Sequence, residues 1–232
     1  MNLVLLKPTE LASEVTLQDR RAVHLQTVIQ PEPETRVKVG VESGLCGTAK
    51  VLASSATGIT LGEFELTNTP PAKLPVTLVM ALPRPKVLRR VVKTLTALGV
   101  DQLVFIHACR VEKSFWQSPL LEKIDEFVTE GLEQSLDTVR PSVEFHTRFR
   151  PFVEDHLSSF MVHRKGIVAH PGPFAAPEKT TSGHTLVVGP EGGWVDFEVN
   201  LLQKNGCELV SLGPRIQYTE TAVSYLIGSL YG

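Results

Sequence analysis

Two short segments hold the residue types from which a ligand site can be made. In "LVVGPEGGWVDF", residues 186–197, an apolar run gives way to Gly189, Pro190, Glu191, Gly192 and Gly193 before Trp194. In "LVSLGPRIQYTETAV", residues 209–223, a second apolar run ends at Leu212, turns through Gly213-Pro214 and reaches Arg215, Ile216, Tyr218, Thr219, Glu220 and Thr221. Glycine at a strand end lets backbone N–H groups approach a ligand that a Cβ would exclude. Glu191 and Glu220 are acids suited to proton transfer, and Arg215 is a cation suited to a developing negative charge. Thr219 or Thr221 can cap the helix that follows, which puts Glu220 where the helix dipole favours an anion. The same residues also read as a tight glycine-rich turn and an ordinary capped terminal helix.

The flanking patterns indicate how these segments are held. Leu186, Val187 and Val188 read as the end of a buried strand, and Trp194, Phe197, Leu201 and Leu202 fall at helical spacing before Asn205-Gly206. From residue 76 onward strand-like and helix-like stretches alternate: "VTLVMAL", a helix with Val87, Leu88, Val91, Val92, Leu95 and Leu98 on one face, "QLVFIHA", a helix through Leu120–Leu132, "SVEFH", a helix near 151–160, "GIVAH", "TLVVG", the helix after Trp194, "CELVSL" and a last helix. That alternation predicts an α/β domain with a mainly parallel sheet. Upstream, "RVKVGV", "GTAKVLASS" and "GITLGEFEL" alternate apolar and polar residues between glycines, as in a small antiparallel β domain, with one helical stretch at Leu17–Val28. The proline-rich "TNTPPAKLP", residues 67–75, marks the boundary, giving an expected division into 1–70 and 71–232.

Composition narrows the function classes. The 232 residues are 42% apolar, enough for a substantial core, and the net charge of −2 announces no polyanionic partner for the chain as a whole. Locally, "RPKVLRRVVK" sets Arg84, Lys86, Arg89, Arg90 and Lys93 together without an acid, a stripe fitted either to phosphates or to solvent. Cys46, Cys109 and Cys207 are odd in number and widely spaced, which predicts free, mostly buried thiols. No segment reads as a membrane span or secretory leader, so a cytoplasmic location with no membrane partner is expected. The phosphate-loop, dinucleotide-turn, nucleophile-elbow and H-E-x-x-H patterns do not occur. The seven histidines are scattered, no metal site is expected, and only His170, closing "GIVAH", stands beside an anticipated ligand edge.

Together "GPEGG" and "LGPRI..TETA" resemble the SPOUT superfamily of S-adenosylmethionine-dependent RNA methyltransferases, specifically the ribosomal RNA small subunit methyltransferase E family. "ALPRPKVLRRVVKTLTALGV", "GLEQSLDTVRPSV" and "HLQTVIQ" extend the resemblance over most of the chain. It implies a small PUA-like β-barrel domain that binds RNA, then a SPOUT-type trefoil-knotted α/β domain with a parallel sheet, acting as a homodimer on N3 of a uridine in small-subunit ribosomal RNA. S-adenosylmethionine is the implied methyl donor, without a metal. Carried over by motif, Gly189, Pro190, Glu191, Gly192, Gly193, Leu212, Gly213, Ile216, Thr219 and Thr221 line the donor, and the glycines admit it against bare backbone. A uridine N3 must lose its proton to react, so Arg215 and Glu220 are the expected catalytic residues, Arg215 for the anion and Glu220, or alternatively Glu191, for the proton, with Glu220 equally readable as a helix-terminus residue. Arg84, Lys86, Arg89, Arg90, Lys93 and Tyr218 are the expected RNA contacts.

The sequence departs from that family where arginines are usual. Gln30 ends "HLQTVIQ", Leu136-Asp137 stands for a Gly-Arg pair, Gln217-Tyr218 for Leu-Arg, and Ala97 for a glutamate. Residues 1–70 hold six Lys and Arg against eight Asp and Glu, an unusual balance for a phosphate-gripping module. Donor-facing glycines are intact while substrate-facing arginines are not. This leaves open a methyltransferase with another RNA target, or a non-catalytic paralogue that binds RNA or the ribosome.

Overall fold

The structure is a computed structural model that describes residues 1–232. The chain divides into two units, Met1–Ala72 with Val128–Arg140, and Lys73–Phe127 with Pro141–Gly232. The break at Ala72 falls inside the proline-rich segment, and Val128–Arg140 belongs to the first unit although the sequence pattern places it with the second.

The first unit is a curled five-stranded sheet in the order β1-β3-β4-β5-β2. Its strands are β1 (Val4–Leu6), β2 (Glu14–Leu17), β3 (Arg36–Val41), β4 (Cys46–Ser55) and β5 (Gly58–Asn68). All neighbours pair antiparallel except β1 with β3. Alternation along the strands turns Val37, Val39, Ala49, Val51, Ile59 and Leu61 onto one core with Leu6 and Leu17. Each Val, Leu or Ile among them contributes about 1.5–3 kcal/mol when fully buried. Leu17, expected to begin a helix, ends β2 instead; α1 (Arg20–His24) starts behind Asp19, whose carboxylate accepts the Arg21 N–H, and runs into a wider turn at Leu25–Ile29.

The cations of this unit are mostly committed inside it. Arg20 makes a two-pronged bond to the buried carboxylate of Glu133 at 2.7 and 2.9 Å, and Arg21 reaches Glu10 at 2.6 Å and Asp19 at 2.8 Å. Hydrogen bonding from Arg21 holds the Glu10 carboxyl below its usual range. Arg36 pairs with Glu65, Lys50 with Glu34 and Glu63, and Arg140 with Glu42. Asp137 is also inward: it is 2% exposed and accepts the Val139 N–H at 2.9 Å. Leu136, where the resembled family carries glycine, holds a left-handed φ of 62°.

The second unit is a six-stranded sheet, parallel throughout, as the alternating pattern requires. Its strands are β6 (Leu74–Ala81), β7 (Val100–Ile106), β8 (Ser142–His146), β9 (Lys165–Ala169), β10 (His184–Val188) and β11 (Glu208–Val210), in the order β11-β9-β10-β6-β7-β8. Helix α2 (Pro85–Ala97) buries Leu88, Val91, Val92 and Leu95, while Leu98 stays 39% exposed. After α3 (Ile124–Ser135) comes a broken helical stretch, α4 (Phe149–Pro151), a wide turn through Phe152–His156 and α5 (Leu157–Phe160). Helices α6 (Asp196–Lys204) and α7 (Thr219–Tyr231) follow β10 and β11. The thiols are free, but only Cys207 is buried, and burial pushes it up to about 11; Cys109 is exposed, against expectation, because it lies in the loop after β7. No helix is long and apolar enough to cross a membrane.

Candidate functional site

Strand register creates the site. Ala169 of β9 stands level with Val188 of β10 on one side and Val210 of β11 on the other. The chain therefore leaves three adjacent parallel strands at one edge, through His170, Gly189 and Ser211. Crevices beyond the carboxyl ends of such strands, where strand order departs from chain order, are where α/β sheets take ligands. Here β10 sits between β9 and β6, and the three loops enclose a cleft of about 230 Å³.

The Gly189–Gly193 loop is tightly braced. The Gly193 N–H donates to the Pro190 carbonyl at 2.8 Å, which closes a turn and leaves Gly193 at φ +75°, a region that costs side-chain-bearing residues strain. The Arg110 guanidinium donates to the Gly192 carbonyl, and Glu191 Oε1 accepts the Arg84 N–H at 3.0 Å. Beyond the loop, Glu198 is 2% exposed and accepts the N–H groups of Cys109 at 2.7 Å and Val195 at 3.0 Å, which fixes the start of α6. Packing gives two of the glycines a reason of their own. A Cβ at Gly189 would come within 3.1 Å of the Trp194 indole and one at Gly192 within 3.0 Å of the Arg110 side chain, so neighbouring side chains occupy that space.

The loop after β11 is held far less. Gly213 stands at φ +100°, its N–H reaching Ser211 Oγ at 3.3 Å, and a Cβ there would meet nothing within 4 Å. Ile216 and Tyr218 are each 80% exposed. The cap of α7 is Tyr218, with no side-chain bond to the helix; Thr219 is instead its first residue, buried at 6% exposure.

The cleft gathers Gly189, Pro190, Glu191, Gly192, Gly193, Leu212, Gly213, Arg215, Ile216 and Thr219 from the expected site residues. Glu220 and Thr221 do not line it: Thr221 is exposed on α7, and Glu220 lies 3.6 Å from Arg90 of α2. Tyr218 is also off the lining. Lys86, Arg89, Arg90 and Lys93 share one side of α2, with Arg84 just before it; the Arg89 guanidinium sits 5.7 Å over the Phe127 ring. Ala169, His170, Pro171, Trp194, Gln217 and Ala222 also line the cleft. His170 was visible as a strand-end residue, whereas Trp194 read only as part of a helix face.

Chemically the cleft has an apolar floor of Ala169, Val188, Leu212, Trp194 and Ala222, and an exposed rim with the charges of Glu191 and Arg215. The buried Nδ1 of His170 and Nε1 of Trp194 have no hydrogen-bond partner. A mostly apolar crevice with a few convergent polar atoms fits a nucleoside-bearing small molecule such as S-adenosylmethionine. No group of three His, Cys, Asp or Glu side chains is placed to hold a metal ion.

Residues 70–231 match the family model described as RNA methyltransferase domain. The chain is 26% identical over 232 residues to the ribosomal RNA small subunit methyltransferase E of Treponema pallidum, covering 96% of this chain and 87% of that one. It is 26% identical over 222 residues to the protein of that name from Mycobacterium bovis, covering 89% and 82%. Among solved structures, the small subunit methyltransferase E of Neisseria gonorrhoeae, bound to S-adenosyl methionine, superposes with a TM-score of 0.75 at 22% identity, covering 98% of this chain and 95% of that one. A putative methyltransferase of Legionella pneumophila, in complex with the same cofactor, gives 0.76 at 19% identity, covering 98% and 95%. These superpositions establish the fold.

Proposed function

This chain belongs to the RNA methyltransferase domain family, and we propose that it transfers a methyl group from S-adenosylmethionine to ribosomal RNA, at N3 of a uridine in the small subunit. The observation that carries this reading is the cleft of three strand-end loops lying within the matched residues. When bound, the donor supplies an electrophilic methyl carbon on a sulfonium, so the protein's task is mainly alignment. Gly189–Gly193, Leu212, Gly213, Ile216 and Thr219 would hold it. A uridine N3 becomes nucleophilic only on losing its proton, and Arg215 at the exposed rim is suited to stabilise the resulting anion. Glu191 is the sole carboxylate on the lining, and its Oε1 is engaged by the Arg84 N–H. Glu220, directed to Arg90, is assigned to joining α7 and α2 instead of proton transfer.

Phosphate contacts are assigned to the α2 stripe of Arg84, Lys86, Arg89, Arg90 and Lys93. The first unit, counted over both its segments, has seven Lys and Arg against eleven Asp and Glu, and five of those cations are ion-paired within it. Its expected role as a PUA-like RNA-binding module therefore rests on shape more than on charge. A trefoil knot, a homodimer and a cytoplasmic location complete the proposal. A shifted RNA target is the second reading, favoured by Tyr218, which is 80% exposed and can stack on a base.

The test is nucleoside mass spectrometry of ribosomal RNA from cells with and without the gene, followed by incubation with purified protein and labelled donor. Loss of 3-methyluridine, restored by the protein, is expected. Loss of another methylated nucleoside would transfer the assignment to a new target, and no difference in any RNA fraction would refute methyl transfer.

A further inference from the structure

His170 ends β9 in a position that the proposed chemistry leaves unused. Its N–H donates to the Val210 carbonyl at 3.0 Å and its ring lies 6.1 Å from that of Phe174, centroid to centroid, so backbone and ring are both located. Yet Nδ1 is buried without a hydrogen-bond partner, and His170 is one of the residues that line the cleft. Buried polar atoms in folded proteins are nearly always satisfied, so one left open calls for a partner that the chain itself does not supply. The surroundings define that partner. Ala169, Val188, Leu212 and Ala222 would strip water from a charged group without compensation, whereas a neutral hydroxyl or ring nitrogen loses less. The charges of the cleft, Glu191 and Arg215, are on the exposed rim, where a zwitterionic amino-acid end can remain solvated.

We infer that His170 is a specificity-determining contact, its Nδ1 hydrogen-bonding the nucleoside half of the methyl donor. The inference rests on the reading of the cleft as the donor site. Geometry offers a test that a general packing role would not pass. Asparagine places a polar atom near the position of Nδ1, glutamine near that of Nε2, and leucine neither.

The full-length protein would be titrated calorimetrically with S-adenosylmethionine and with 5′-methylthioadenosine, which keeps the nucleoside and lacks the amino acid. His170→Leu and His170→Gln are expected to weaken both ligands about 10-fold, and His170→Asn to stay within about threefold of wild type. Wild-type affinity in His170→Leu, or equal losses in all three variants, would overturn the role of Nδ1. A loss for S-adenosylmethionine with none for methylthioadenosine would overturn the nucleoside assignment. If His170→Leu does not fold, as judged by its urea midpoint, the asparagine and glutamine pair still decides the question. Wild-type protein that binds neither ligand would refute the donor-site reading itself, and the inference with it.

Discussion

The two Gly-Pro loops look alike in sequence and are built differently. In Gly189–Gly193 the conformation is fixed by its own turn, by the Arg110 guanidinium, by the Arg84 N–H on Glu191 and by Trp194 packed against Gly189. After Gly213 the chain has one 3.3 Å bond to Ser211 and two apolar side chains, Ile216 and Tyr218, standing in solvent. A preformed wall lowers the ordering cost of binding, while a loosely held one can adapt to and cover what binds. The first loop is thus suited to setting the shape of the site and the second to closing on its contents.

The largest effect is expected at the braced loop. Gly193→Val puts a β-branched residue at φ +75° and should weaken donor binding about 100-fold by calorimetry, because holding that backbone region costs a few kcal/mol, of order 1–3. The loss would be conformational, since only Arg110 Nη1, at 3.8 Å, lies near the new Cβ. Arg110→Ala removes the brace on the Gly192 carbonyl and should cost about fivefold in donor affinity, the worth of roughly one hydrogen bond. Gly213→Ala introduces a Cβ into open space at φ +100°; the looser loop can relax, so a loss of only about threefold is expected, below the roughly 1–2 kcal/mol of full left-handed strain. A loss at Gly213 matching that at Gly193 would erase the distinction between the loops. Smallest in stability is Tyr218→Arg, whose unfolding free energy from urea titration should change by less than about 0.5 kcal/mol, since the side chain is 80% exposed. Its activity on the family's usual ribosomal target should nevertheless rise, and unchanged activity would count against a shifted target.

Much of the site was legible because its signals are local. Apolar runs ending in Gly-Pro mark strand ends whatever the rest of the chain does, and ten of the expected site residues meet in one cleft. What escaped depended on distant partners. Glu220 reads as an acid at a helix start, yet Arg90 from α2 faces it. Asp137 reads as a lost surface cation, yet it is 2% exposed and bonded to its own turn. Gly189 and Gly192 each have a neighbour that the local pattern does not reveal, Trp194 and Arg110, which a Cβ at either position would crowd.

By itself the sequence determined the alternation of strands and helices in the second unit and the parallel character of its sheet, because periodicity acts over a few residues. Tertiary structure alone decided that Ala169, Val188 and Val210 stand level, so that three loops share one edge. It also decided which cations of the first unit are neutralised and that His170 Nδ1 is buried without a partner. These are properties of strand pairing and of side chains meeting across long stretches of chain, and a charge or a ring nitrogen acquires its chemistry only from the neighbours that folding brings to it.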